Sequence, residues 1–515
     1  MESEKSPPEK KVSIYVDDFM DEEEEKRAFQ QPLPVKKSRG DFEKKVNDRV
    51  KLKKELFIYQ RTGSVYEFYE FTGKVLGEGG FGQVHEVKEK DTGRLLACKQ
   101  IPRSKIRNQM RFINEVLALK NCDHPNIVKL YEVFEEEHDV FLIQEKLNGG
   151  ELFDYITNRD YLTEAEAAKI FSQIIKSLIY CHKMKLIHRD LKPENFMFKS
   201  SKPNSTLKLI DFGYARIFQK QTNENKSKIL RMRSKVGTEN FMAPEMILRN
   251  YSSSCDIWAA GVILYIMLCG FYPFEGEDEE ETFKLIENIE YDFDDEVFDS
   301  ISDEAKDLIN KILTPEKDRI TLEQVLEHPW IIKNLEEPDD GAINTNLIDR
   351  LKKFSKSTKL RKAVATLIAT QVTDRSVFES TNAFNKIDTN KDGYITLDEL
   401  ERGMASHPTQ VKHIMDQVDT DQNNKINYNE FIAATLEDKT LKNCFSINKA
   451  FDFFDKNKDG QIDKDELQEI LQDSDIDRVE TNIIKGILLE CDVNNDGVID
   501  KKEFFRCMSL KRQDP

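Results

Sequence analysis

His188-Arg189-Asp190-Leu191-Lys192-Pro193-Glu194-Asn195 is the stretch on which the reading of this chain turns. Within eight residues it places a carboxylate, an ammonium and a carboxamide at Asp190, Lys192 and Asn195. A carboxylate can orient a hydroxyl and accept its proton. An ammonium can neutralise a phosphate, and a carboxamide oxygen is a hard ligand for Mg²⁺. Asp211-Phe212-Gly213 and then Ala243-Pro244-Glu245 follow it. Upstream lies Leu76-Gly77-Glu78-Gly79-Gly80-Phe81-Gly82-Gln83-Val84, a G-x-G-x-x-G-x-V loop. Taken alone, that loop fits a dinucleotide fold or a plain glycine turn equally well. Lys99 then follows Ala97 and Cys98 in an apolar strand, and Glu115 comes sixteen residues later in a helical pattern. Each residue by itself has a bland alternative: Lys99 a surface lysine, Asp211 a helix cap, Glu115 a solvated face. The ordered set does not.

Together these are the protein-kinase signatures in their order along the chain. The glycines Gly77, Gly79 and Gly82, with Leu76, Glu78, Val84 and Ala97, form an ATP-binding wall whose backbone can approach phosphates. Lys99, held by Glu115, neutralises phosphate charge. Glu145 and Leu147 fall at the hinge, and Glu151 follows them. Asp190 is the expected catalytic base, Lys192 the partner of the transferring phosphate, and Asn195 and Asp211 the Mg²⁺ ligands. Glu245 and Arg319 are expected to form a buried ion pair.

Length and composition are compatible with this. The 515 residues suggest three or four domains, and 39% hydrophobic with 33% charged residues describes a globular chain. A net charge of −18 makes it a poor general nucleic-acid binder. Eight Cys without a C-x-x-C pair argue for a reducing compartment and against a disulfide scaffold or zinc site. The apolar run at 258–268 is too short to span a bilayer and reads as a buried helix. The N-terminus carries neither an apolar signal region nor a glycine at position 2. Residues 1–66 read as a disordered or extended region with an acidic cluster at 17–25 (DDFMDEEEE) and a basic block at 36–54.

Short β-like runs from residue 69 and helical patterns after Glu151 predict an α+β, two-lobed domain over 69–331. A connector at 332–376 is basic, with Arg350, Lys352, Lys353, Lys356, Lys359, Arg361 and Lys362. Its Leu347, Leu351, Phe354, Leu360, Val364 and Leu367 recur at roughly helical spacing. From Val377 onward the chain holds 18 basic against 29 acidic residues and a fourfold repeat.

Each repeat fits the calcium-loop pattern D-x-[DN]-x-[DN]-G-x₅-E. The loops are 388–399 (Asp388, Asn390, Asp392, Tyr394, Glu399), 419–430 (Asp419, Asp421, Asn423, Lys425, Glu430), 455–466 (Asp455, Asn457, Asp459, Gln461, Glu466) and 492–503 (Asp492, Asn494, Asp496, Val498, Glu503). Calcium takes six to eight oxygens: side chains at positions 1, 3 and 5, a carbonyl at 7 and a bidentate Glu at 12. Position 6 needs a positive φ; it is Gly in three loops and Asn424 in the second, the next most tolerant residue. Position 8 is Ile in all four (Ile395, Ile426, Ile462, Ile499), where paired loops can join. Asp463 and Asp500 give the last two loops a fourth carboxylate, so tighter binding is expected there.

Residues 69–512 closely resemble the calcium-dependent protein kinases of plants and protists. The resemblance implies a bilobal serine/threonine kinase using Mg-ATP, an autoinhibitory junction helix at 332–376, and an all-α calmodulin-like domain at 377–512 with four EF-hands. Three departures stand out: Gln144 at a usually apolar position, a longer segment after Gly213, and Phe241 in place of a more common Tyr. Glu151 and Glu194 match acidic positions that bind an arginine three residues before the acceptor in basophilic relatives. Ile266 stands where some relatives place a further acid. An R-x-x-S/T preference is therefore expected, with Ser64, Ser234 and Ser355 as autophosphorylation candidates.

The junction at 346–371 is expected to cover the substrate cleft without calcium, Lys352 or Lys353 mimicking a substrate base. The EF-hand lobes would capture it with calcium. The expected partners are protein substrates, with no nucleic acid and no transmembrane segment, in a monomer with intramolecular regulation. The expected location is cytoplasmic, with peripheral membrane attachment left open. The alternative is a calcium-responsive pseudokinase scaffold, against which the intact Lys99, Asp190, Asn195 and Asp211 speak. A calcium buffer would need neither kinase nor connector.

Overall fold

The computed structural model describes residues 14–16, 59–61, 63–79, 82–106, 112, 116, 118–120, 122–217, 230–232, 237–335, 345–357, 359–371, 374–404, 410–420, 423–441, 444–471, 487–488 and 491–509. Gly80, Phe81, Glu115, Ser234, Asp421 and the charged blocks at 17–25 and 36–54 lie outside them. The chain divides into two compact units. One is built on Gly149–Glu336, the other on Lys45–Phe112, Leu119–Asn148 and Glu337–Pro515.

The second unit begins with a six-stranded sheet. Its strands are β1 (Tyr59–Arg61), β2 (Tyr69–Gly79), β3 (Gly82–Glu89), β4 (Leu95–Pro102), β5 (Leu130–Glu135) and β6 (Asp139–Gln144), in the order β1-β5-β6-β4-β3-β2. The β-rich runs after residue 69 thus form antiparallel neighbours. β1 joins β5 in parallel, Tyr59 opposite Glu132, ahead of the residue where the sequence reading starts the domain. A one-turn helix α1 (Val65–Phe68) leads into β2; Ser64 and Glu67 cap it reciprocally. Val65, Tyr69, Val87, Leu96, Cys98, Phe134, Phe141 and Ile143 make the sheet's core.

The other unit is mainly helical. Helix α2 (Leu152–Thr157) is followed by α3 (Glu164–Lys183), which starts on a Thr163/Glu166 capping box and ends on His182 and Lys183, both favourable for a helix dipole. The run at 258–268 lies in α4 (Ser254–Cys269), whose residues from Cys255 to Cys269 are all buried. An all-round apolar helix belongs in a core, as expected. Strand β7 (Leu186–Ile187) delivers the 188–195 stretch and pairs antiparallel with β8 (Arg216–Ile217).

The C-terminal part is helical, with two short two-stranded ribbons. The connector forms two helices, α5 (Thr345–Ser355) and α6 (Lys359–Gln371), where one was expected. Ser355 Oγ donates to Lys352 O and Ser357 Oγ to Lys353 O, so hydroxyls compete for the helix carbonyls at the break. The predicted apolar stripe, Leu347, Leu351, Phe354, Leu360, Val364 and Leu367, is buried in one core with the EF-hand helices. β9 (Tyr394–Ile395) pairs with β10 (Ile426–Asn427), and β11 (Gln461–Ile462) with β12 (Ile499–Asp500). Cys491 and Cys507 are disulfide-linked, Cα atoms 5.4 Å apart, across the fourth loop. The sequence reading expected no such bridge, because a spacing that brackets a loop resembles no cysteine motif.

Candidate active site and calcium loops

The 188–195 stretch is fastened from below. Asp256, in α4, accepts the N–H of Arg189 on Oδ1 (2.8 Å) and that of His188 on Oδ2 (2.9 Å); His182 Nε2 lies 2.8 Å from Oδ2. Burial alone would raise its carboxyl pKa. The His182 hydrogen bond, the two histidines' charge and the Arg189 amide outweigh burial and hold it below the usual carboxylate range. His188 in turn bonds Asp211 O through Nε2 and packs edge-on against Phe212, ring centroids 5.3 Å apart. Asp256 and His182 are the functional residues that sequence reading missed. The signal was an acid two residues before the longest apolar run, in a helix too apolar to bury it without partners.

Above this floor the polar groups converge. Thr238 Oγ1 donates to Asp190 Oδ1 (2.9 Å) and accepts from Lys192 Nζ (3.1 Å), while Lys192 Nζ stands 3.9 Å from Asp190 Oδ2. Asn195 Nδ2 donates to Asp190 O (2.6 Å), leaving its carboxamide oxygen for another role. Asp211 Oδ1 accepts the Gly213 N–H (2.9 Å). Such a cluster can orient a hydroxyl at Asp190, place a cation at Lys192 and offer hard oxygens from Asn195 and Asp211 to Mg²⁺. Arg319 forks onto Glu245, Nη2 to Oε2 at 3.1 Å, and its guanidinium lies over Trp258, 5.1 Å from the ring centroid, so the expected pair is present and buried. In the same unit Glu151 is raised by burial and by the charges of Asp154 and Glu194. Glu194 Oε2 is buried and has no hydrogen-bond partner.

In the sheet unit, Gly77 and Gly79 end β2, and Gly82 opens β3. A Cβ on Gly82 would sit 1.9 Å from Gln100 O, so backbone-to-backbone contact requires glycine there. Lys99 is half-buried on β4 between Val84 and Leu142, with Ala97 two residues before it. At the hinge Gln144 and Glu145 are buried, and Glu145 Oε1 accepts the Lys129 N–H (2.9 Å). Leu147 is half-buried.

All four loops share one fold. Position 6 has a positive φ in each: Gly393 79°, Asn424 63°, Gly460 85° and Gly497 90°. The position-8 isoleucines pair, Ile395 with Ile426 and Ile462 with Ile499. The position-12 glutamates reach back across their own loops. Glu399 accepts from Thr389 N (3.1 Å), Glu430 from Thr420 N (2.7 Å), Glu466 from Lys456 N (2.8 Å) and Glu503 from Val493 N (2.9 Å). Position-1 aspartates take loop amides, Asp388 from Gly393, Asp419 from Asn424, Asp455 from Gly460 and Asp492 from Gly497, each at 2.9 Å. Among the described residues no three His, Cys, Asp or Glu side chains come together into a metal-holding group. The oxygen-only donor set, the shared turn and the inward carboxylates fit calcium rather than a soft metal. Burial pushes the Asp388 carboxyl up to about 7.

The junction helix α6 and the helix that begins at Tyr428 touch the segment that leads into β5. Asp123 Oδ2 accepts the Asn429 N–H (2.9 Å), and Lys129 Nζ donates to Ala369 O (3.0 Å) and Asn429 Oδ1 (3.4 Å).

Comparison with known proteins agrees with this geometry. A protein kinase domain model matches residues 70–331, and an EF-hand domain pair model matches 379–436 and 445–509. Calcium-dependent protein kinase 5 of Plasmodium falciparum (isolate 3D7) is 37% identical over 90% of this chain and 81% of its own. Calcium-dependent protein kinase 14 of Arabidopsis thaliana is 36% identical over 95% of this chain and 91% of its own. The chain belongs to the calcium-dependent protein kinases. This calcium-dependent kinase is therefore a serine/threonine protein kinase that uses ATP and Mg²⁺, acts on protein substrates and carries calcium-binding EF-hands. No helix among its described residues is long and apolar enough to cross a membrane.

Proposed function

We propose that this kinase phosphorylates serine or threonine three residues after a basic residue, and that Glu151 and Glu194 read that base. The observation that carries the reading is the buried, unpartnered Glu194 Oε2 beside Glu151. Desolvated carboxylates gain most from a cation that brings its own donors, and arginine does so in fork geometry. Glu194→Gln should lower kcat/KM for an R-x-x-S peptide about 10-fold or more while leaving the A-x-x-S peptide unchanged, a charged hydrogen bond contributing roughly 1.5–3 kcal/mol. An equal fall on both peptides would refute the recognition role.

The catalytic step follows from the same groups. Asp190 orients the acceptor hydroxyl and takes its proton. Lys192 and Thr238 fix the carboxylate while Lys192 meets the transferring phosphate. Asn195 and Asp211 would hold Mg²⁺, which would neutralise the developing phosphate charge. Lys99 and the walls at Leu76, Val84, Ala97, Glu145 and Leu147 seat the nucleotide.

Calcium supplies the switch. Four ions fill the loops, and the kinase domain over 69–331 is released when the calmodulin-like domain at 377–512 captures the junction at 332–376. The burial of Leu351, Phe354, Leu360 and Val364 among the EF-hand helices supports capture, as do the polar clamps from Arg350 to Thr435 O (3.1 Å) and Lys362 to Gln417 Oε1 (2.6 Å). The regulation is intramolecular, in a monomer.

A further inference from the structure

Loop 1 contains a cation that belongs to loop 2. Lys425 occupies position 7 of the second calcium loop, where its carbonyl is the expected ligand. Its side chain crosses the β9–β10 ribbon, and Nζ lies 3.4 Å from Oδ2 of Asp392, the position-5 carboxylate of the first loop. Asp392 is almost fully buried, its side chain 3% exposed, whereas the lysine is 41% exposed. The ammonium also sits 5.3 Å from the centre of the Tyr394 ring, position 7 of loop 1. The other lobe has no counterpart: its position-7 residues are Gln461 and Val498.

We propose that Lys425 is a tethered competitor for calcium, an affinity-setting residue of loop 1 that acts through Asp392. The argument is one of charge. A calcium ion in loop 1 needs the Asp392 oxygens and repels an ammonium at the same carboxylate, so the Lys425–Asp392 pair breaks as the ion enters. Breaking it costs part of the calcium affinity. The lysine's exposure means that water repays most of that loss, and the remainder is modest. The released side chain returns to loop 2, whose backbone it shares. Filling loop 1 therefore alters the charge beside loop 2, a link between paired sites that the C-terminal pair lacks. The inference rests on the calcium reading of the loops and gives the N-terminal pair a reason to bind more weakly beyond its smaller number of carboxylates.

The test uses the full chain with Glu466→Gln and Glu503→Gln, which silence the C-terminal loops, and reads calcium binding by titration calorimetry. Lys425→Met should tighten the first site about three- to tenfold, and the gain should shrink as salt screens the pair. Lys425→Arg keeps the charge and should stay within twofold of the parent. Arg402→Met removes a nearby cation whose Nη2 bonds the Thr389 hydroxyl, 3.2 Å, rather than a loop carboxylate; it too should stay within twofold. Unchanged or weaker binding in Lys425→Met, or an equal gain in Arg402→Met, overturns the competition while leaving the calcium reading intact. No calcium binding by the parent overturns both.

Discussion

Asp256→Asn isolates how the 188–195 stretch is held. The carboxylate receives two backbone N–H groups and one histidine, all within 2.9 Å and all in a buried site. The carboxamide keeps one acceptor oxygen and turns an NH₂ toward a donor, so one buried N–H loses its partner, costing about 1–3 kcal/mol. The bonds that survive become neutral ones, each about 1 kcal/mol weaker. The sum, roughly 3 kcal/mol or more, should lower the melting temperature by about 6–12 °C for a domain of this size. The same loss frees His188 and Arg189 next to Asp190, and a 1 Å displacement of a reacting group costs on the order of 100-fold in rate. Steady-state phosphate transfer to a saturating peptide, with thermal melts of the same samples, measures both. The acid limb adds a signature. The folded carboxyl is held below its unfolded value, so its stabilisation is complete above about pH 4 and is lost as pH falls through the lowered pKa. Asp256→Asn should melt with a flatter acid limb than the parent. A variant with kcat within threefold of the parent and an unchanged melt would refute the reasoning.

Two further changes probe the other unit. Gly82→Ala drives a Cβ into Gln100 O, and relief needs a backbone shift of more than 1 Å at the start of β3; kcat/KM for ATP should fall about 100-fold, and near-parental ATP kinetics would contradict the close approach. Leu351→Ala empties a fully buried position in the core shared by the junction and the EF-hands, at a cost of about 2–5 kcal/mol, which denaturant unfolding in calcium should detect; an unchanged midpoint would mean that the junction contributes nothing to that core.

The family was legible because its chemistry is written locally. Asp190, Lys192 and Asn195 share one short stretch, and each calcium loop carries its oxygens within twelve residues. The position-8 isoleucines could be paired in advance because a β-ribbon joins loops two at a time. What stayed hidden depends on partners distant in sequence. Asp256 is an acid two residues before an apolar run until His182 and the amides of His188 and Arg189 are brought to it. Tyr59–Arg61 has no pattern of its own and becomes a strand only because β5 offers a free edge. The break between α5 and α6 lies in a basic amphipathic stretch whose periodicity reads straight through it; the serine hydroxyls that end α5 are a weaker signal than the apolar stripe. Lys425 read as a loop carbonyl, and its side chain acquires meaning only across the ribbon.

One device recurs at both the kinase stretch and the calcium loops: a buried carboxylate holding backbone N–H groups. Asp256 holds His182, two amides and the Cys255 thiol. In the loops each position-12 glutamate holds at least three donors. Glu399, Glu430, Glu466 and Glu503 hold amides two positions into their loops, and Asp388 holds Asp392 N at 3.1 Å and Gly393 N. A hard cation would compete with these donors for the carboxylate oxygens. In the second loop the helix that carries position 12 starts at Tyr428 and includes Asn429. Asn429 N donates to Asp123 Oδ2, in the segment that precedes β5. The same type of bond fastens the 188–195 stretch and ties the exit helix of loop 2 to the segment that leads into β5.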